Sequence, residues 1–300
     1  MNTTKIIALI SFIGILCSCN KDESTQNFSY EPERNNFIEE LTSFNTSYAR
    51  IIDSTYSALA ATSTKGWWDN VVDAVTDALH VAAADIIGGG TAFGFAQEMA
   101  IIAGLATGGT GYAVVVSAAT ALGAAHSSSE QIDKLSANPP EKVQMHTGNL
   151  NIQYPTKYIS LSNTGKLHNE YAVAIYNNTL DPIHISDTLT IKLLEDKEFE
   201  TVRLQINDYF RNYDGTLDNL FLIIDNLKRD KFITENMATV YKLFFNIYGK
   251  SITLENLEDI INKYIDSIAS ATFLTEDEKS ALISSFSVAS ESPCLWYNQI

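Results

Sequence analysis

The stretch from Ile86 to Ala125 carries one charge, Glu98, and consists largely of glycine, alanine and β-branched residues. A segment so poor in polar side chains must find an apolar environment, either a protein interior or a bilayer. Its small residues recur in register. Ala96, Ala100, Gly104 and Gly108 stand at four-residue steps, and Ala113, Ser117, Ala121 and Ala125 repeat the pattern. A step of four puts each set on one helix face, where small side chains let two backbones approach closely. Gly108-Gly109-Thr110-Gly111 lies between the two sets and has turn composition. The pattern therefore predicts a close-packed helical hairpin over 86–125.

Two destinations are open to such a hairpin. Met99 to Ala125 is free of charge and long enough to span a bilayer. The glycine turn, however, divides it into halves too short to cross singly. Insertion would also carry Glu98 inward at a cost of about 2.5 kcal/mol or more. Burial inside a helical body is the favoured expectation. The alternative is a membrane-active protein, toxin-like or pore-associated, that inserts the hairpin.

The rest of the chain reads as amphipathic helix. Phe37, Leu41, Phe44, Tyr48, Ile51, Ile52, Tyr56 and Leu59 recur at spacings of three and four, which predicts a helix over about 34–61, broken by Thr62-Ser63-Thr64-Lys65-Gly66. A second is expected from Trp67 to about Leu79. Ser127-Ser128-Ser129 and Asn138-Pro139-Pro140 mark a polar linker over 138–155, and Ile152 to Ile159 is extended at most. Further helices are expected near 166–178 after Gly165, over 197–212, from Thr216 to about 229, from Thr234 to Gly249, and from Thr253 to about 270. The last follows Thr275, which forms a capping box with Glu278; Pro293 should kink or end it. The expected fold class is all-α. An N-terminal helical region over 34–137 holds the hairpin, and a C-terminal bundle occupies 156–300.

The first residues add a location. Lys5, the apolar run Ile6 to Leu16, and small residues before a cysteine form the three parts of a secretory signal. The apolar run is about half the length that a ~30 Å hydrocarbon core requires. Leu16-Cys17-Ser18-Cys19 resembles the lipobox of bacterial lipoproteins, and Asn20-Lys21-Asp22-Glu23 resembles the tag of surface-exported Bacteroidota lipoproteins. The resemblance covers residues 1–23. It implies removal of 1–18, acylation of Cys19, a tether over 19–33, Lys21, Asp22 and Glu23 as an export tag, and a body held at the outer membrane facing outward. The implied partner is the membrane, through the lipid, with another envelope protein or a surface ligand as a second.

Charge and motifs narrow the chemistry. With 20 basic and 36 acidic residues the net charge is −16, and loss of Lys5 makes the mature chain more negative still. Phosphate polyanions are repelled, so nucleic acid is an unsuitable partner. Beyond Cys17 and Cys19 only Cys294 remains, so no intrachain disulfide can form in the mature protein; its apolar neighbours suggest a buried thiol. Gly88-Gly89-Gly90 and the later glycine cluster are expected to be loops, but neither fits a nucleotide-binding fingerprint. His80, His126, His146, His168 and His184 have no metal-ligand spacing. His80, three residues after Asp77, suggests a local hydrogen bond or ion pair, and His168 and Glu170 point apart on a helix. Trp67, Trp68 and Trp296 stand in apolar helical patterns that suit core packing. No nucleophile motif is present, and neither a catalytic residue, a metal nor a cofactor is assigned. The expectation is a non-enzymatic binding or envelope-assembly protein.

Overall fold

A computed structural model describes residues 27–62, 81–92, 110–135, 141–179, 195–250 and 254–297. The fold is all-α, and no strand occurs among the described residues. In chain order the helices are α1 (Asn27–Thr62), α2 (81–92), α3 (Thr110–Leu135), α4 (Thr164–Tyr176), α5 (Lys197–Phe210), α6 (Leu217–Arg229), α7 (Glu235–Tyr248), α8 (Leu254–Ser270) and α9 (Glu276–Tyr297). A short 3-10 helix, Thr156–Leu161, leads into α4.

Local chemistry sets several ends. Thr216 accepts the Asn219 amide to start α6, and Thr234 accepts the Met237 amide to start α7. An N-terminal side-chain acceptor satisfies a backbone donor that has no intrahelical partner. At α9 the expected capping box forms in both directions: Glu278 N donates to Thr275 Oγ1 at 3.2 Å, and Thr275 N to Glu278 Oε2 at 2.8 Å.

Several boundaries differ from expectation. α3 takes in Thr110 and Gly111 of the expected turn and runs through Ser127-Ser128-Ser129 to Leu135, because its apolar face stays buried, and Thr156–Leu161, expected to be extended at most, is 3-10 helix. α1 begins at Asn27, within the stretch expected to be tether, and contains Pro32. Its side chains bring it onto the body there: Glu33 accepts from Thr272, and Phe37 packs edge-on against Phe273 at 5.1 Å. α9 runs through Pro293 to Tyr297 instead of ending. A proline cannot donate to the carbonyl four residues back, here that of Ala289. Tyr248 Oη reaches this carbonyl at 3.5 Å, the long limit of a hydrogen bond. A further difference concerns Gly88-Gly89-Gly90, which lie inside α2 and not in a loop.

One hydrophobic cluster draws on both sides of the expected linker, from Leu41 and Ile86 to Phe210 and Trp296. The core thus does not divide at 138–155. Residues 141–155 form an extended strap with Leu150, Ile152 and Tyr154 turned to the core. Side chains supply the hydrogen bonds that a neighbouring strand would otherwise provide. Val143 N donates to Asn177 Oδ1 at 2.9 Å while Asn177 Nδ2 returns to Val143 O at 2.7 Å, and Asn262 treats Gln153 N and Asn151 O in the same way. Each buried backbone group must find such a partner.

An aromatic cluster joins α7, α8 and α9. Phe244 stacks on Phe286 at 4.3 Å, and Tyr264 meets both rings edge-on. Fully burying a side chain of this size stabilises by ~1.5–3 kcal/mol.

Candidate functional site

Every described residue of α2, from Val81 to Ala92, is buried. Its glycines explain how. A Cβ on Gly88 would meet Ser127 Oγ of α3 at 2.3 Å, and one on Gly90 would lie 1.8 Å from Tyr241 Oη of α7 and 2.7 Å from Ser285 Oγ of α9. From the other side, a Cβ on Gly123 would meet Ala92 Cβ at 2.4 Å. The helices can approach this closely only because these positions lack side chains.

α2 also brings one charge, Asp85, into the interior. Its Oδ2 accepts from Trp296 Nε1 at 2.9 Å and from Ser292 Oγ, both on α9, and lies 3.1 Å from His168 Nε2 on α4. All four side chains are inaccessible to solvent. The imidazole is oriented from its other side. Asn169 Nδ2 donates to the carbonyls of His146 (2.9 Å) and Glu291 (3.2 Å), so Asn169 Oδ1 is left to accept, and His168 Nδ1, 2.8 Å away, is the donor. The start of α4 fits equally closely: Gly165 N donates to Ser287 Oγ at 3.0 Å, and a Cβ there would lie 2.1 Å from Ser287 O.

Around this carboxylate the buried face of α9 is unusually polar, with Ser284, Ser285, Ser287, Ser290 and Ser292. Ser285 bonds Tyr241 Oη at 2.9 Å, and Ser287 Oγ reaches Ser162 O at 3.1 Å. Glu291 Oε2 accepts from Gly148 N at 2.8 Å and ties the strap to α9. Burial raises the Glu291 pKa, opposed by the Gly148 amide and the charges of Lys166 and His168. Burial, with Glu291 nearby, pushes the Cys294 thiol up to about 11. On α3, burial and the Arg203 charge lower the pKa of His126 to about 3.

Serine, histidine and aspartate meet here without the order of a nucleophilic relay. In such a relay the histidine stands between serine and acid; here Ser292 and His168 both address Asp85 Oδ2. Shielded from solvent, the arrangement joins α2, α4, α9 and, through Asn169 and Glu291, the strap. Nothing in the sequence pairs Asp85 with His168. The available signal was a lone acid between apolar neighbours, Ala84 and Ile86.

Of the residues of the small-residue ladders, Ser117, Ala121 and Ala125 are buried on α3, where Ser117 Oγ accepts from Thr164 Oγ1 of α4 at 3.1 Å. Ala113 lies in the same helix. Cys294 and Trp296 are buried in α9. Cys19, Lys21, Asp22, Glu23, Ala96, Ala100, Gly104 and Gly108, with Trp67, Trp68, His80 and His184, lie outside the described residues. No described helix is long and apolar enough to cross a membrane.

Open clefts lie elsewhere. One, of about 610 Å³, lies at the α6–α7 junction, between Lys228 and residues 231–235 on one side and the start of α9 on the other, and reaches Gly90. The chain matches no family model, and no curated protein or solved structure is significantly similar to it.

Proposed function

We propose that the protein is a lipid-anchored outer-membrane lipoprotein, acylated on Cys19 and facing outward, whose helical body binds an envelope partner or surface ligand and does not run a reaction. The observation that carries the non-enzymatic reading is the use made of the reactive side chains. His168, Asp85, Ser292 and Cys294 are all buried, and the first three hold helices together. The anchor rests on the lipobox-like Leu16 to Cys19 and on Lys21-Asp22-Glu23.

Insertion of the 86–125 hairpin is the weaker alternative. Residues 115–125 are buried against the body. Withdrawal of α2 with the hairpin would strip Asp85, directly before it, of its Trp296 and Ser292 donors, and carrying Glu98 into a bilayer costs about 2.5 kcal/mol or more.

Intact mass of the membrane-extracted protein tests the anchor: acyl chains on a chain beginning at Cys19 are expected, and lost in Cys19→Ser. Protease treatment of whole cells tests the outward face. Turnover of glycan, ester or peptide substrates by the purified protein, abolished by Asp85→Asn without unfolding, would overturn the non-enzymatic reading. Leakage from liposomes on adding the body would favour insertion.

A further inference from the structure

We infer that residues 149–154 of the strap are a removable plug, and that the groove beneath them takes an extended, uncharged segment of a partner protein with apolar side chains at alternate positions. That the segment comes from an envelope partner rests on the binding role proposed above; the chemistry of the groove does not.

The helices read the strap through its main chain. Asn177, just after α4, engages both N and O of Val143, and Asn169 Nδ2 donates to His146 O at 2.9 Å. Glu291 of α9 accepts from Gly148 N at 2.8 Å. Further along, Glu258 and Asn262 stand four residues apart on α8 and so share a face. Glu258 Oε2 accepts from Asn151 N at 2.7 Å. Asn262 Oδ1 accepts from Gln153 N at 2.7 Å, and its Nδ2 donates to Asn151 O at 3.2 Å. Bonds to N–H and C=O hold an extended chain in register whatever its sequence, and alternate side chains then supply the specificity. Here Leu150, Ile152 and Tyr154 pack against the core, while Asn149, Asn151 and Gln153 are exposed. The Tyr154 hydroxyl meets Ser287 and Ser290 of α9. The ligand is thereby defined: apolar residues two apart, the last a tyrosine, on an extended backbone. Glu258 sets the groove against acidic ligands, and residues 149–154 carry no charge.

The strap is firm at its ends and loose between them. Val143 and Tyr158 are buried. Gly148 lies so close to α9 that a Cβ would stand 3.0 Å from Cys294 Sγ and 3.1 Å from Ser290 O. Residues 149–154, by contrast, are all half-buried or exposed, and the hydrogen bonds of Asn151 and Gln153 are open to solvent. A segment with few buried side chains and exposed hydrogen bonds opens at lower free energy than the core. A ligand that needs the open form is weakened in proportion to how seldom that form is populated. Loosening the plug should therefore strengthen binding in trans.

The test uses the full chain from residue 19 with Cys19→Ser. Hydrogen exchange read by mass spectrometry should show residues 149–154 exchanging at least a hundredfold faster than α9; exchange as slow as that of α9 overturns the plug. A fluorescein-labelled peptide with the sequence of residues 148–155 is then titrated by fluorescence polarisation. Saturable binding is expected, at least fivefold tighter to the chain carrying Ile152→Ser with Tyr154→Ser than to the parent. Adding Asn262→Ala to that chain, or placing Ile152→Ser and Tyr154→Ser in the peptide, should weaken binding at least fivefold. Gly148→Ala, which crowds Cys294 and Ser290 without emptying the groove, is a second loosened chain and should bind more tightly than the parent. No binding to a loosened chain that keeps the parent's cooperative melt overturns the groove, and self-association of that chain in ultracentrifugation overturns the partner in favour of a second copy. Turnover of a substrate bears on the non-enzymatic reading alone, so the two failures are distinguishable.

Discussion

Asp85 Oδ2 stands 3.1 Å from His168 Nε2, with both side chains wholly shielded from water, and so joins the glycine-rich helix α2 to the start of α4. Distance and direction disagree about this contact. The separation is that of an ion pair, yet the ring does not present Nε2 along a hydrogen-bond direction, and Asp85 Oδ1 has no hydrogen-bond partner among the described residues. The directed bonds come from Trp296 and Ser292. We therefore place most of the hold on Asp85 in α9, with His168 as a close polar neighbour.

Asp85→Ala should destabilise the protein by about 3–5 kcal/mol, because it strands the Trp296 and Ser292 donors in a dry interior and empties the volume of a carboxylate. Asp85→Asn keeps an acceptor and should cost less. Urea denaturation checks both, and equal stability of Asp85→Ala and the parent would rule out a latch.

Gly90→Ala should cost about 1–3 kcal/mol by overpacking against Tyr241 and Ser285. Adding Tyr241→Phe removes the nearest atom, Oη, and should recover part of the loss. At Gly249 a Cβ would find only Phe245 O, at 3.7 Å, so Gly249→Ala should change stability by no more than about 0.5 kcal/mol. Thermal melts of the four proteins separate crowding from a general intolerance of substitution.

His126 should make the fold sensitive to acid. Burial first, then the Arg203 charge, lowers its folded pKa from 6.5 to about 3. The unfolded chain therefore binds the proton more readily, and this contribution is present above about pH 6.5 and lost as pH falls towards 3. The slope from one such group is at most about 1.4 kcal/mol per pH unit. Urea midpoints between pH 7 and 4 should fall more steeply for the parent than for His126→Gln; parallel curves would refute the assignment.

Thr234 and Glu278 should show coupling. The Thr234 hydroxyl both caps α7 and donates to Glu278, which also closes the capping box of α9. Thr234→Val and Glu278→Gln, singly and together, should give a double-mutant coupling of about 0.5–3 kcal/mol. Additive effects would mean that the two helix starts are stabilised independently.

Several helix starts could be read from the sequence because their cause lies within a few residues. Thr216, Thr234 and the Thr275–Glu278 pair cap the helices that follow them, and no distant contact is needed for a threonine to accept an amide three residues on. The small-residue step over Ser117, Ala121 and Ala125 likewise follows from helix geometry. Tertiary packing decided what local preference opposed. Glycine is a weak helix former, yet Gly88, Gly89 and Gly90 lie in α2, where α3, α7 and α9 leave no room for a Cβ at Gly88 or Gly90. Proline ordinarily ends a helix, yet α9 continues through Pro293 inside the core. Asp85 and His168, far apart in the chain and each unremarkable in its own segment, become neighbours only when α2 and α4 pack on α9. Capping is written in adjacent residues. A buried carboxylate's partners are chosen by the whole fold, because only the folded chain removes the water that would otherwise solvate it.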